Sequence, residues 1–202
     1  MIEIYIFVNP IDHAQMQPFQ QLFKLIKHSN KNIKFHIIPA VTMPLMDGYF
    51  TNKLIPRHQR EKRNSLFQLA YHIAISYEKL ATLNKQASIN FLLKTYDLLA
   101  KDTCAIQDID QLLIQEGYGC CKELQYHLEQ YSDIAKEKFQ NNLKLANDMG
   151  ISNLSSLVIY NFNSSKDFAI RLDSIDDLDL INNLIDANSI EEAIEKQPMS
   201  LQ

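Results

Sequence analysis

The sequence predicts an α/β fold in which a long helical block interrupts a small, strand-containing core. Three observations carry this. Residues Ile2 to Ile38 read as strand, helix and strand; helix-period apolar stripes fill residues 54–149; strand character returns at Leu157 ahead of a closing helix. The predicted order is therefore βαβ, helices, ββα.

Ile2-Glu3-Ile4-Tyr5-Ile6-Phe7-Val8 is apolar on nearly both faces, the pattern of a central strand in a covered sheet. Asn9-Pro10 breaks it. From about Ala14 to His28, Phe19, Leu22, Phe23 and Ile26 recur at helical spacing and predict one buried stripe. Ser29 to Asn32 ends that helix, and Ile33 to Ile38 reads as a strand with Pro39 at its exit. A βαβ unit of this length implies parallel strands joined by a right-handed crossover.

From Leu54 onward the stripes are Leu66/Leu69/Ala70/Ile73/Tyr77/Leu80, then Ile89/Leu92/Leu93/Tyr96/Leu99. Asp108 is expected to cap a short helix through Ile109, Leu112 and Leu113 that Gly117 ends. Leu124, Leu128, Tyr131 and Ala135 lead into Phe139, Leu143, Ala146 and Met149, with Gly150 where a left-handed C-cap belongs. Tyr71, Tyr77 and Tyr96 fall on helical stripes and read as core. Leu157 to Tyr160 and Asp167 to Leu172 predict an antiparallel hairpin around the turn Asn163-Ser164-Ser165-Lys166. Ser174 is expected to cap the closing helix of Ile175, Leu178, Ile181, Leu184 and Ile185. This divides the chain into a core of residues 1–53 and 150–187, a helical insertion 54–149, and a tail 188–202.

Composition narrows the function. The chain has 202 residues, 46% of them apolar, and a formal net charge of −4, which argues against a general nucleic-acid binder. No apolar run approaches the roughly 20 residues of a membrane span, and no secretory signal is read at the amino end. Cys104, Cys120 and Cys121 are an odd set with two adjacent, which is no disulfide framework; free thiols point to the cytoplasm. Cys120-Cys121 lacks metal-ligand spacing and reads as two small residues opening a helix, so neither metal nor cofactor is expected.

The βαβ–helices–ββα order is that of a thioredoxin-like fold of the DsbA type, with an all-helical insertion between its two halves. In that plan a reactive dithiol sits where the first strand meets the first helix, because the helix dipole stabilises a thiolate. Here that junction, Asn9-Pro10-Ile11-Asp12-His13-Ala14-Gln15, holds no cysteine; Asp12 and Gln15 stand at the two positions of a C-x-x-C. The stretch Glu3 to Pro10 resembles the opening of the cytosolic DsbA/FrnE-like family, and within it most the ClpXP adaptors of the SpxH (YjbH) group. Ala146 to Leu157 resembles the same family's helix end and strand entry, where a cis-proline precedes Thr or Ser; Ser155 occupies the proline position.

The resemblance implies a protein that binds the stress regulator Spx, with ClpX as a further partner, and promotes Spx degradation by ClpXP. Loss of both cysteines and of the proline removes what disulfide exchange requires, since no carboxylate or amide replaces an attacking thiolate. The alternative is an enzyme: a DsbA/FrnE-like oxidoreductase or isomerase, or a glutathione-dependent one like the kappa class. Asp12, negative when ionised, would repel a glutathione thiolate. Asp12 is otherwise expected to cap the first helix through backbone N–H bonds, and His13 to be an exposed turn residue or Asp12's acid–base partner. Expected partner contacts are Asn9, Pro10, Ile11, Asp12 and His13, together with Arg57, Arg60 and Arg63. The last three belong to the basic run 57–63, which reads as a solvated helix start or a dock for an acidic partner.

Overall fold

A computed structural model describes residues 1–101, 105–118, 131–162, 168–187 and 192. The chain divides into two compact units. The first comprises Met1–Val8, Gln17–Ile38 and Ser155–Gln202. It holds a four-stranded sheet of β1 (Ile2–Val8), β2 (Ile33–Pro39), β3 (Ser156–Asn161) and β4 (Phe168–Leu172), ordered β2-β1-β3-β4. β1 pairs antiparallel with β3 in the register Ile4 to Ile159, and β3 pairs antiparallel with β4 in the register Ile159 to Ile170. The predicted hairpin is thereby found; its turn, Asn163 to Lys166, lies outside the described residues.

β1 is as buried as its pattern demands. Ile2, Ile4, Ile6, Phe7 and Val8 are all inaccessible. Helix α1 (Met16–His28) buries the expected Phe19, Leu22, Phe23 and Ile26. Phe19 and Phe23 meet edge to face at 4.6 Å, and Phe23 meets Phe35 of β2 at 5.1 Å. The closing helix of this unit starts at Leu178 and ends at Asp186. Its cap is Asp177, whose carboxylate accepts from the Leu180 N–H at 2.9 Å. Ser174 does not cap it: its hydroxyl accepts from Asp176 N–H and donates to the Asp176 carboxylate, closing a turn one step earlier. Asn161, buried at the end of β3, donates its amide to the carbonyls of Leu184 and Ala187.

The second unit comprises Asn9–Met16 and Pro39–Leu154. It contains a 3-10 turn (His13–Gln15) and the helices α2 (Met43–Asn52), α3 (Arg60–Leu83), α4 (Lys85–Leu99), α5 (Ile106–Tyr118) and α6 (Ser132–Asp148); the closing helix of the first unit is α7. Helix α3 is the hub and packs against α4, α5 and α6. Sequence reasoning missed α2, although Thr42 caps it by accepting from Leu45 N–H and Pro44 lies in its first turn. Asp108 sits inside α5 rather than at its cap, reaching back to accept the Ala105 N–H at 2.7 Å. Gly117 does not stop α5, which runs to Tyr118. Tyr77 and Tyr96 are core as expected, but Tyr71 is 37% exposed and rests edge-on against Phe139. Gly150 takes the expected left-handed conformation, φ 66°. The expectations for Leu124, Leu128, Cys104, Cys120 and Cys121 fall outside the described residues.

Candidate functional site

The junction that would carry a dithiol is a closed hydrogen-bonded loop. After β1, Asn9 folds its side chain onto the chain ahead, its Oδ1 accepting from Ile11 N–H at 3.1 Å. This is the local turn chemistry that asparagine favours. The Asn9 carbonyl accepts from Asp12 N–H at 3.2 Å and from the Tyr96 hydroxyl at 2.9 Å. Gln15 turns inward: its Oε1 accepts from Asn9 N–H at 3.4 Å, and its Nε2 donates to the Asp12 carboxylate at 3.2 Å. Asn9 is 1% and Gln15 8% exposed, and both buried side-chain amides are hydrogen-bonded within the loop.

Asp12 holds the N-cap position of the 3-10 turn, but its side chain makes no capping bond; its carbonyl accepts the Gln15 N–H instead. The expected capping carboxylate is thus a partner of Gln15. Tyr96, wholly buried on α4, has its hydroxyl pKa raised by burial and then by the Asp12 charge. Nothing in the local pattern around Asn9 announces Tyr96, 87 residues away; only its place on the α4 stripe marks it as core.

His13 is half-buried rather than an exposed turn residue, and the Asp12 carboxylate is engaged by Gln15 rather than by His13. His13 sits on the rim of a cleft of about 340 Å³. Ile11, Ile55, Leu66, Leu69 and Leu99 form the apolar wall; His13, Tyr49, Lys53 and Lys62 supply polar groups. Burial, reinforced by the Asp12 charge, pushes Tyr49 up to about 12. Its ring lies under the Lys53 ammonium, 5.8 Å from the centroid. Sequence reading does not bring Tyr49, Lys53 or Lys62 to this place.

The other predicted residues distribute unevenly. Asn9, Pro10 and Ile11 are buried and shape the loop from inside, Ile11 also lining the cleft. Arg57, in the turn before α3, and Arg60, its first residue, are exposed, whereas Arg63 is mostly covered. Arg63 lies over the Phe50 ring at 4.3 Å and pairs with Asp47, which Arg57 also approaches at 3.8 Å. Ser155 belongs to the other unit. No cis peptide occurs among the described residues, and Ser155 is held at φ 79° with its N–H donating to the Phe7 carbonyl at 2.9 Å. A proline has no N–H for that bond and cannot reach that φ.

The arrangement can hold and orient; it has no sulfur nucleophile at either dithiol position. Among the described residues no group of three or more His, Cys, Asp or Glu could hold a metal ion, and no helix is long and apolar enough to cross a membrane. No curated protein sequence matches the chain. Residues 5–183, which include the second half of β1 and the entry to β3, match the family model described as Thioredoxin. With that match over nearly the whole chain, and a four-stranded sheet accompanied by a block of helices, the chain belongs to the thioredoxin family.

Proposed function

We propose that the chain is a non-redox binding member of the thioredoxin family, a cytoplasmic adaptor that binds Spx and promotes its degradation by ClpXP. One observation carries the non-redox part. Asp12 and Gln15, at the dithiol positions, are spent on holding the loop together through Asn9 N–H and each other. The adaptor part is supported by the resemblance of Glu3 to Pro10 and of Ala146 to Leu157 to that group, whose action depends on protein contacts rather than thiol turnover. Asp12 and His13 on the loop, with Arg57, Arg60 and Arg63, are the contacts this reading assigns. Spx is the primary partner and ClpX the second; neither nucleic acid nor membrane is involved.

The test is the rate of Spx degradation by ClpXP with and without this protein. The expected result is an acceleration that survives changing Cys104, Cys120 and Cys121 together to Ser. No acceleration together with no Spx binding would overturn the adaptor assignment. Turnover of insulin or glutathione disulfide above background would overturn the non-redox assignment and favour the oxidoreductase alternative.

A further inference from the structure

Two helices of the helical unit end in the same way, with one difference. At the end of α6, Gly150 N–H donates to Asn147 and Ile151 N–H to Ala146. At the end of α2, Leu54 N–H donates to Thr51 and Ile55 N–H to Phe50. Both closures place one residue in the left-handed region, φ 66° at Gly150 and φ 53° at Leu54, followed by a buried isoleucine. Glycine adopts that conformation freely; a leucine does so against steric resistance from its Cβ. Leu54 gains nothing in return from packing. It is 88% exposed, while the next most exposed large apolar side chain among the described residues, Met1, is 48% exposed. Folding alone gives no reason for leucine here.

The surroundings supply one. Beside Leu54 opens a cleft of about 390 Å³ walled by Phe50, Ile55 and Pro56 and edged by Arg57 and Arg63, with Asp47 between the two arginines. Arg57 is 89% exposed and reaches Asp47 only at 3.8 Å, a solvated pair that holds it weakly. Residues 53–63 carry Lys53, Arg57, Arg60, Lys62 and Arg63 against Glu61 alone, in a chain whose net charge is −4. The local field is therefore opposite in sign to that of the whole molecule, which steers an anionic partner to this spot. The concavity beside the knob fits an inserted side chain, as a flat lipid surface would not, and its apolar wall has no counterpart on a phosphate backbone.

We propose that Leu54 and the cationic cleft beside it, formed by Phe50, Ile55, Pro56, Arg57 and Arg63, are the docking site for an acidic segment of a partner protein that carries an apolar side chain among its carboxylates. The segment's apolar side chain enters the mouth of the cleft beside Pro56, Leu54 covers it from outside, and Arg57 meets a flanking carboxylate. This rests on reading the chain as a protein-binding module, but not on the identity of that protein as Spx.

The test is fluorescence anisotropy of a labelled peptide in which one leucine and one phenylalanine stand among glutamates, compared with the same peptide carrying glutamine throughout. The intact protein is used, alongside Leu54→Gly and Arg57→Glu. Saturable, salt-sensitive binding is expected for the glutamate peptide and none for the glutamine one. Leu54→Gly is expected to weaken binding by about tenfold or more while raising Tm by about 2–4 °C, because glycine relieves the left-handed position. Arg57→Glu is expected to abolish binding without lowering Tm. Equal binding of both peptides, unchanged binding by Leu54→Gly, self-association through this face, or sedimentation with phosphatidylserine vesicles in place of peptide binding would each overturn the proposal. Peptide binding without any Spx binding would leave this site standing and remove the Spx assignment; Spx-dependent acceleration that Leu54→Gly and Arg57→Glu leave intact would do the reverse.

Discussion

Replacing Glu78 by Gln is expected to stabilise the protein at neutral and alkaline pH. Glu78 lies on the inner side of α3 and is only 4% exposed. Its Oε1 accepts from Asn142 Nδ2 of α6 at 2.9 Å. The cation that acts on it, Lys138, donates to Thr82 Oγ1 at 3.0 Å. Burial pushes the carboxyl up from 4.5, and with the Lys138 charge and then the Asn142 bond pulling it partly back it stands at about 7. The folded chain thus holds this proton more tightly than the unfolded chain does, so stability falls as pH rises from 4.5 to about 7. At about 1.36 kcal/mol per pH unit, the whole gap corresponds to about 3 kcal/mol of destabilisation above pH 7. A glutamine in its place would carry no charge at any pH and would keep an oxygen for Asn142 at nearly the same volume. Urea denaturation followed by far-UV circular dichroism at pH 4.5, 6 and 8 measures the effect. The variant should match the parent within about 1 kcal/mol at pH 4.5 and exceed it by about 2–3 kcal/mol at pH 8. A variant no more stable than the parent at pH 8 would refute the reasoning, because the buried carboxylate would then be fully compensated.

Four further outcomes are expected, each read by the same denaturation assay at pH 7. Tyr96→Phe removes a buried donor, but the Asn9 carbonyl keeps the Asp12 N–H, so the loss should be about 1 kcal/mol rather than the larger cost of an orphaned group. Ser155→Gly should stabilise by about 1 kcal/mol by releasing a left-handed serine, whereas Ser155→Pro should destabilise by at least about 2 kcal/mol through the lost bond to Phe7 and the forbidden φ. Asn161→Ala withdraws the amide from two carbonyls at the end of α7 and should cost about 1–2 kcal/mol.

How much was legible beforehand follows from the range of the interactions involved. β1, the α1 stripe, the β3–β4 hairpin and the Gly150 closure are written in periodicity and in residues that serve one backbone shape, and all four are found. Helix α2 escaped because Pro44 and Gly48 dilute its helical signal, although Thr42 and Pro44 suit a helix start. The caps assigned to Asp12 and Ser174 failed for a shared reason. Each is a residue type that bonds nearby backbone, and several donors compete for it within a few residues; at Asp12 the winner is the Gln15 side chain, at Ser174 it is Asp176. The empty dithiol positions could be read directly, but not that Gln15 turns inward or that Tyr96 anchors Asn9. Those depend on which helix packs behind the loop. The knob at Leu54 was equally hidden, since leucine at a left-handed helix end runs against every local preference.

The loop at Asn9 to Gln15 also bears on what this protein could become. Exchanging Gln15 for cysteine deletes the acceptor for a buried Asn9 amide and the donor to Asp12. Exchanging Asp12 strands the Gln15 amide, and placing proline at 155 breaks the contact to Phe7. Each substitution needed to assemble a dithiol centre removes an existing bond before any redox benefit exists. Assembling a dithiol here would therefore run uphill at every single step, because each new residue displaces a bond the loop already uses.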